Sequence, residues 1–112
     1  MAECLFCKIR DGEVPADIIF EDDECLAFRD INPKAPVHFL VIPRRHIANL
    51  WDTKTSDVGL LGRIQLMIPK IAKDQGLDSG FRTVLNTGPG GYQEVYHMHY
   101  HVLGGGPFTG FN

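Results

Sequence analysis

Residues 97–103 read His97-Met98-His99-Tyr100-His101-Val102-Leu103, and this alternation governs the fold class. Side chains of a strand point to opposite faces in turn, so the three histidines share one face at spacings of about 6–7 Å. Met98, Tyr100 and Val102 then point the other way, toward whatever covers the sheet. The alternation predicts a last strand from about Val95 to Leu103. Before it lie a glycine-rich turn, Thr87 to Gly91, and a strand from Phe81 to Leu85. Further upstream, Leu60, Leu61, Ile64, Met67, Ile68, Ile71 and Ala72 recur with helical period and form one apolar stripe. Thr55 or Ser56 is expected to cap this helix with Asp57 behind, Gly76 to close it, and Pro69 to kink or shorten it.

Near the start, Ile18–Phe20, Cys25–Phe28 and His38–Ile42 are short β-branched or aromatic runs separated by Glu21-Asp22-Asp23-Glu24 and by Asn32-Pro33 through Pro36. They read as three strands joined by tight turns, the third ended by Pro43. Strands, then one long helix, then two more strands make an α+β pattern, with the helix on one face of a mostly antiparallel sheet of about five strands. At 112 residues the chain has room for one domain, 1–112. One helix leaves a sheet edge and a second surface bare, which predicts a homodimer burying the helix from about Thr55 to Gly76.

Composition narrows the function. Eleven basic residues against fourteen acidic ones, with no basic block beyond Arg44-Arg45, speak against nucleic acid as a partner. No apolar run approaches the roughly 18 residues of a membrane span. Met1–Arg10 lacks the basic start and apolar stretch of a signal peptide, and three cysteines make a poor disulfide framework, so a cytoplasmic chain with reduced thiols is expected.

Three of the five histidines sit in the 97–101 ladder. An imidazole ladder is costly to desolvate and packs no better than valine or isoleucine, so it implies chemistry: metal binding, or one histidine acting as nucleophile or base. The loop Asn86-Thr87-Gly88-Pro89-Gly90-Gly91 favours the second reading, because its backbone amides can face an anion. Cys4-Leu5-Phe6-Cys7 is a C-x₂-C pair, a metal or redox spacing, without the βαβ context of a thioredoxin-like site.

The run His97 through Leu103 resembles the motif of the histidine triad (HIT) family. The likeness extends to Phe6-Cys7-Lys8-Ile9, Ile18 to Asp23, Leu26 to Pro33, Ala35 to Pro43 and Val95 to Gly105, which are similar to the Hint branch. The resemblance implies a small homodimeric α+β fold, with a short N-terminal helix or turn. It implies a purine nucleotide-binding hydrolase that cleaves nucleoside phosphoramidates or related adenylates and needs no catalytic cofactor. His99 would be the nucleophile, forming a nucleotidyl-histidine. His101 would stabilise phosphate charge and His38 would order the triad's hydrogen bonds. Asp30 would accept from ribose hydroxyls, although an aspartate before Asn32-Pro33 is also a ready turn former. Phe6, Phe28 and Ile31 would line the base pocket, and Asn86, Gln93 and the amides around Glu94 would hold phosphate. Structural zinc would bind Cys4, Cys7, His46 and His97, as in several relatives, while Cys25 reads as core.

Two positions depart from the family's Gly-Gln-Ser or Gly-Gln-Thr: Tyr92 stands for glycine and Glu94 for the hydroxyl residue. The stretch after Gly105 carries no family feature. Alternatives to the phosphoramidase are a dinucleoside polyphosphate hydrolase, a nucleotide-binding regulatory or scaffold protein, and a metalloprotein that uses the ladder as ligands.

Overall fold

The computed structural model describes residues 3–108. Its centre is a five-stranded sheet of β1 (Ile18–Glu21), β2 (Cys25–Arg29), β3 (Val37–Pro43), β4 (Arg82–Leu85) and β5 (Tyr100–Gly104). The strands lie in the order β1-β2-β3-β5-β4, and every neighbouring pair is antiparallel. Asp22 makes the first hairpin tight, its Oδ1 accepting from the amides of Glu24 and Cys25 at 2.9 and 2.8 Å.

The long helix α2 (Val58–Asp74) follows two short 3₁₀ turns, Leu50–Asp52 and Thr55–Asp57. Its stripe of Ile64, Ile68, Ile71 and Ala72 packs on Ala27, Phe39, Val41, Met98, Tyr100 and Val102, the face opposite the ladder. Helix closure runs as expected. Gly76 takes φ +86°, while its amide bonds Lys73 and the Leu77 amide bonds Ala72, each at 3.0 Å, pairing carbonyls that the helix end leaves open.

Helix initiation differs from expectation, because neither Thr55 nor Ser56 caps α2. Asp57 instead turns its carboxylate back to the Lys54 amide at 2.9 Å and to Arg45, which folds the preceding turn. Pro69 does not shorten the helix. It lies on the exposed face, where the carbonyl one turn earlier is open to water, so the missing donor is tolerated.

The last strand is also shorter than the alternation predicts. Pairing between β3 and β5 stops at Val41↔Tyr100, and Pro43, which has no N–H, stands at the end of β3. Val95–His99 therefore run outside the ladder, with the Met98 amide bonded to Ile47 at 2.7 Å. The second face of the sheet is partly covered by the short helix α1 (Leu5–Arg10), whose Phe6 and Ile9 pack on Leu26, Phe28, Leu40 and Ile42. The remainder of that face is open.

Candidate active site and metal centre

The open part of that second face is a cavity of about 550 Å³. Phe6, Phe28, Ile31, Asp30, Asn86, Glu94, His38, His99 and His101 all line it. Leu5, Val14, Pro15 and Ala16 add an apolar wall. Nothing in the periodicity of the sequence singled them out, because α1 and the loop after it are too short to show a pattern. The Phe6 ring stands edge-on to Phe28 (5.3 Å) and to His99 (5.1 Å), so one aromatic joins the apolar wall to the histidines.

The hydrogen bonds assign the histidine tautomers. The Lys34 amide donates to His38 Nδ1 at 3.0 Å, so the proton of neutral His38 is on Nε2. That Nε2–H faces His101 Nδ1 at 2.9 Å, which makes His101 Nδ1 the acceptor and leaves its Nε2–H as a free donor. His99 Nδ1–H donates to the His97 carbonyl at 2.9 Å, so its Nε2 carries a lone pair. The rings of His99 and His101 are 4.9 Å apart. A lone pair and an N–H donor thus stand side by side at one cavity.

Burial keeps these rings neutral. It lowers His99, against the opposing pull of the Asp30 and Glu94 carboxylates, and it lowers His38. His101 is pushed down to about 4 by burial first and by its histidine neighbours second. Asp30 divides its oxygens: Oδ1 accepts the Asn32 amide at 2.8 Å, as a turn former does, and Oδ2 lies 3.4 Å from His38 Nε2.

Gln93 stands apart from the other expected phosphate residues. It is buried and does not line the cavity. Its Oε1 accepts from Asn49 Nδ2 and the Gly88 amide, and its Nε2 donates to the carbonyls of Ala48 and Val95. These four bonds brace the loop that carries Asn86 and Glu94, a positioning task that an amide read as a phosphate ligand conceals. The Thr87 hydroxyl in the same loop is buried, and no partner for it is found among the described residues.

His97 is turned away from this cavity. Its Nε2–H donates to the Pro43 carbonyl at 2.8 Å, so its Nδ1 carries the lone pair. That atom faces Cys4 Sγ at 3.4 Å, Cys7 Sγ at 3.6 Å and His46 Nδ1 at 3.2 Å, and Cys7 Sγ is 3.4 Å from His46 Nδ1. A tetrahedron with zinc–nitrogen bonds of about 2.05 Å and zinc–sulfur bonds of about 2.3 Å has edges of about 3.3 Å (N···N) and about 3.5 Å (N···S). The donor set fits such a centre in spacing and in chemistry. Cys4 Sγ also accepts the Cys7 amide at 3.3 Å, which folds the C-x₂-C turn at the start of α1. Burial, and then the neighbouring Cys4, raise the Cys7 thiol against the opposing charge of Arg10. Cys25 is core, its thiol pushed up to about 12 by burial.

Residues 3–109 match the family model described as the scavenger mRNA decapping enzyme C-terminal binding domain. The sequence is 54% identical over 103 residues to an uncharacterized HIT-like protein of Synechococcus elongatus, covering 92% of this chain and 90% of that one. Among solved structures it is similar to a HIT family hydrolase from Legionella pneumophila, with a TM-score of 0.92, 51% identity and 96% coverage of both chains. A histidine triad protein from Clostridium difficile aligns over the whole of both chains with a TM-score of 0.93 and 43% identity.

Proposed function

The chain belongs to the histidine triad family, and on that premise we propose that it hydrolyses purine nucleoside phosphoramidates or related adenylates through a nucleotidyl-histidine. The observation that carries this reading is the pairing of opposite tautomers, an Nε2 lone pair on His99 beside an Nε2–H donor on His101. A nucleophile and an oxyanion donor are what displacement at a phosphorus needs.

In this reading the base lies against Phe6, Phe28 and Ile31, the ribose near Asp30, and the phosphate between Asn86 and the histidines. His99 Nε2 attacks the α-phosphorus. His101 Nε2–H, its ring held by the His38–Lys34 chain, bonds the oxygen on which charge builds. Water then cleaves the Nε2–phosphorus bond. The His97 carbonyl steadies the positive imidazole through the intermediate, because it keeps the Nδ1 proton in place.

The same reading includes zinc held by Cys4, Cys7, His46 and His97. Its chemistry there is structural, since four protein ligands close the shell and leave no position for water. It also includes a cytoplasmic homodimer. Trp51 and Leu66, 84% and 72% exposed, stand before and on α2 and are apolar side chains that a second copy would cover.

The experiment is a single turnover of adenosine and guanosine phosphoramidates followed by intact-protein mass spectrometry. A chain heavier by one nucleotidyl group, absent in His99→Ala, is expected. A folded His99→Ala variant with unimpaired turnover removes the mechanism.

A further inference from the structure

Tyr92 is the one non-glycine residue with positive φ among the described residues, at φ 62° and ψ 33°. For a bulky side chain this left-handed backbone costs about 1 kcal/mol or more. Core packing does not compensate for it, because Tyr92 is 85% exposed. The loop around it is held on both sides. Its own amide bonds the Pro89 carbonyl at 3.1 Å, the Gln93 amide bonds Gly88 at 3.1 Å, and the Gln93 side chain makes its four buried bonds one residue on. The strained residue is thus presented at the cavity, which it lines, and strain of this kind points to a task at the site.

Two residues further, Glu94 lines the same cavity. Among the described residues its carboxylate has no ion pair or hydrogen bond. The cavity's two cations belong to another segment, around the β2–β3 turn: Arg29 pairs with Asp17 at 2.9 Å, and the Lys34 ammonium, which donates to the Asn32 carbonyl at 3.0 Å, keeps its charge there. The connection from β4 to β5 therefore presents to the reacting centre a free carboxylate and an aromatic ring, and both attract a cation.

We propose that Tyr92 and Glu94 form a leaving-group subsite that selects cationic amines over neutral or anionic leaving groups. The inference rests on the phosphoramidase reading above and names the substrate class within it. As the His99 Nε2–phosphorus bond forms, the phosphorus–nitrogen bond breaks, and its electron pair stays on the nitrogen. That nitrogen takes a proton from solvent, and the water that later cleaves the nucleotidyl-histidine returns one. A carboxylate and a ring face at the exit favour the amine as it gains positive charge, together with any ammonium it carries further out. They disfavour a leaving carboxylate or polyphosphate.

The test uses three adenosine 5′-phosphoramidates with leaving groups of similar length: ethylenediamine (cationic), propylamine (neutral) and β-alanine (anionic). The readout is the ratio of kcat/KM among them within each protein, so that a general change in turnover cancels. The native chain is expected to favour the cationic over the anionic compound by on the order of 10²-fold, the scale of two charge interactions at partial exposure. Glu94→Gln is expected to reduce that ratio to within about threefold of unity after the residual contribution of Tyr92. Tyr92→Gly, which relieves the backbone, is expected to lower it about threefold. Equal rates on all three compounds, or an undiminished ratio in Glu94→Gln, overturn the subsite and leave the phosphoramidase reading intact. No hydrolysis of any of the three overturns both.

Discussion

All five histidines of the chain fall into two clusters, and the clusters handle their protons in opposite ways. Around His38, His99 and His101 each bonded nitrogen meets a partner of the complementary kind. An amide feeds His38, His38 feeds His101, and a carbonyl takes the proton of His99. Around His97 and His46, two thiols and two ring nitrogens face one another, and the one proton that can be assigned points outward to Pro43. A hydrogen-bond chain is complete by itself, whereas facing lone pairs of two sulfurs and two ring nitrogens are the donor set that a tetrahedral cation site uses. His97 and His99 are two residues apart, and a different carbonyl for each sets which nitrogen is free. Neighbouring identical side chains thus present different free nitrogens, set by backbone acceptors.

The largest effect expected from breaking this contrast is at the complementary cluster. His99→Ala is expected to abolish turnover, a loss on the order of 10⁴-fold or more, and His101→Ala to lower kcat by on the order of 10²-fold. Steady-state kinetics with nucleotide-binding isotherms separate these losses from lost binding. Comparable, mild losses in both variants would mean that the tautomer pairing carries no chemistry.

The facing-lone-pair cluster makes a different demand, on stability. Metal analysis of protein purified without chelator is expected to give about one zinc per chain, and the Cys4→Ser, Cys7→Ser double variant close to none. That variant is expected to unfold at least about 5 °C lower, while its folded fraction still turns over substrate. Zinc retained in full by the double variant would make the two thiols bystanders.

A smaller effect concerns pH. Burial holds His101 at about 4 and lowers His99 below the ordinary histidine value. The acid limb of kcat/KM is therefore expected below the ordinary histidine value of about 6.5, as protonation removes the His99 lone pair, with a further loss near pH 4 as protonated His101 is set against the His38 proton. The folded pKa of His101 lies below its unfolded value, so the unfolded chain binds more protons across this window. Stability accordingly drops as pH falls from about 6.5 to 4. A pH–rate profile with its acid limb centred near 6.5 would show the site to be wetter than its burial implies.

Much of this arrangement is legible in the sequence, and the exceptions share a cause. The runs at Ile18, Cys25 and His38, and the stripe from Leu60 to Ala72, declare themselves because each depends only on its own period. The early end of the β3–β5 pairing does not, since alternation along one strand says nothing about a partner that lacks a donor. Asp57 in place of Thr55 or Ser56, and Gln93 turned inward, likewise depend on what stands opposite them in space. Within the candidate site, the ladder residues His99 and His101 are visible from the alternation, and His38 and Asp30 only through the family resemblance. The apolar wall of Leu5, Val14, Pro15 and Ala16 is not, because short irregular segments have no period to reveal which way they face.

Pro43 sets one half of this contrast. Its carbonyl receives the His97 proton, and it stands at the end of β3, just past the last pair of the β3–β5 ladder. Past that last rung the Pro43 carbonyl is free for a side chain, and the Met98 amide that would have stood opposite bonds Ile47 instead. An imino acid that touches no reacting atom thereby acts as a punctuation mark: before it the backbone is committed to the sheet, and after it the backbone is released to direct protons. Replacing it with an ordinary residue would restore one amide donor, and the zipper would be free to close two residues further. The change would register first at the His97 ring, whose acceptor would be drawn into the ladder, with the fold itself little altered.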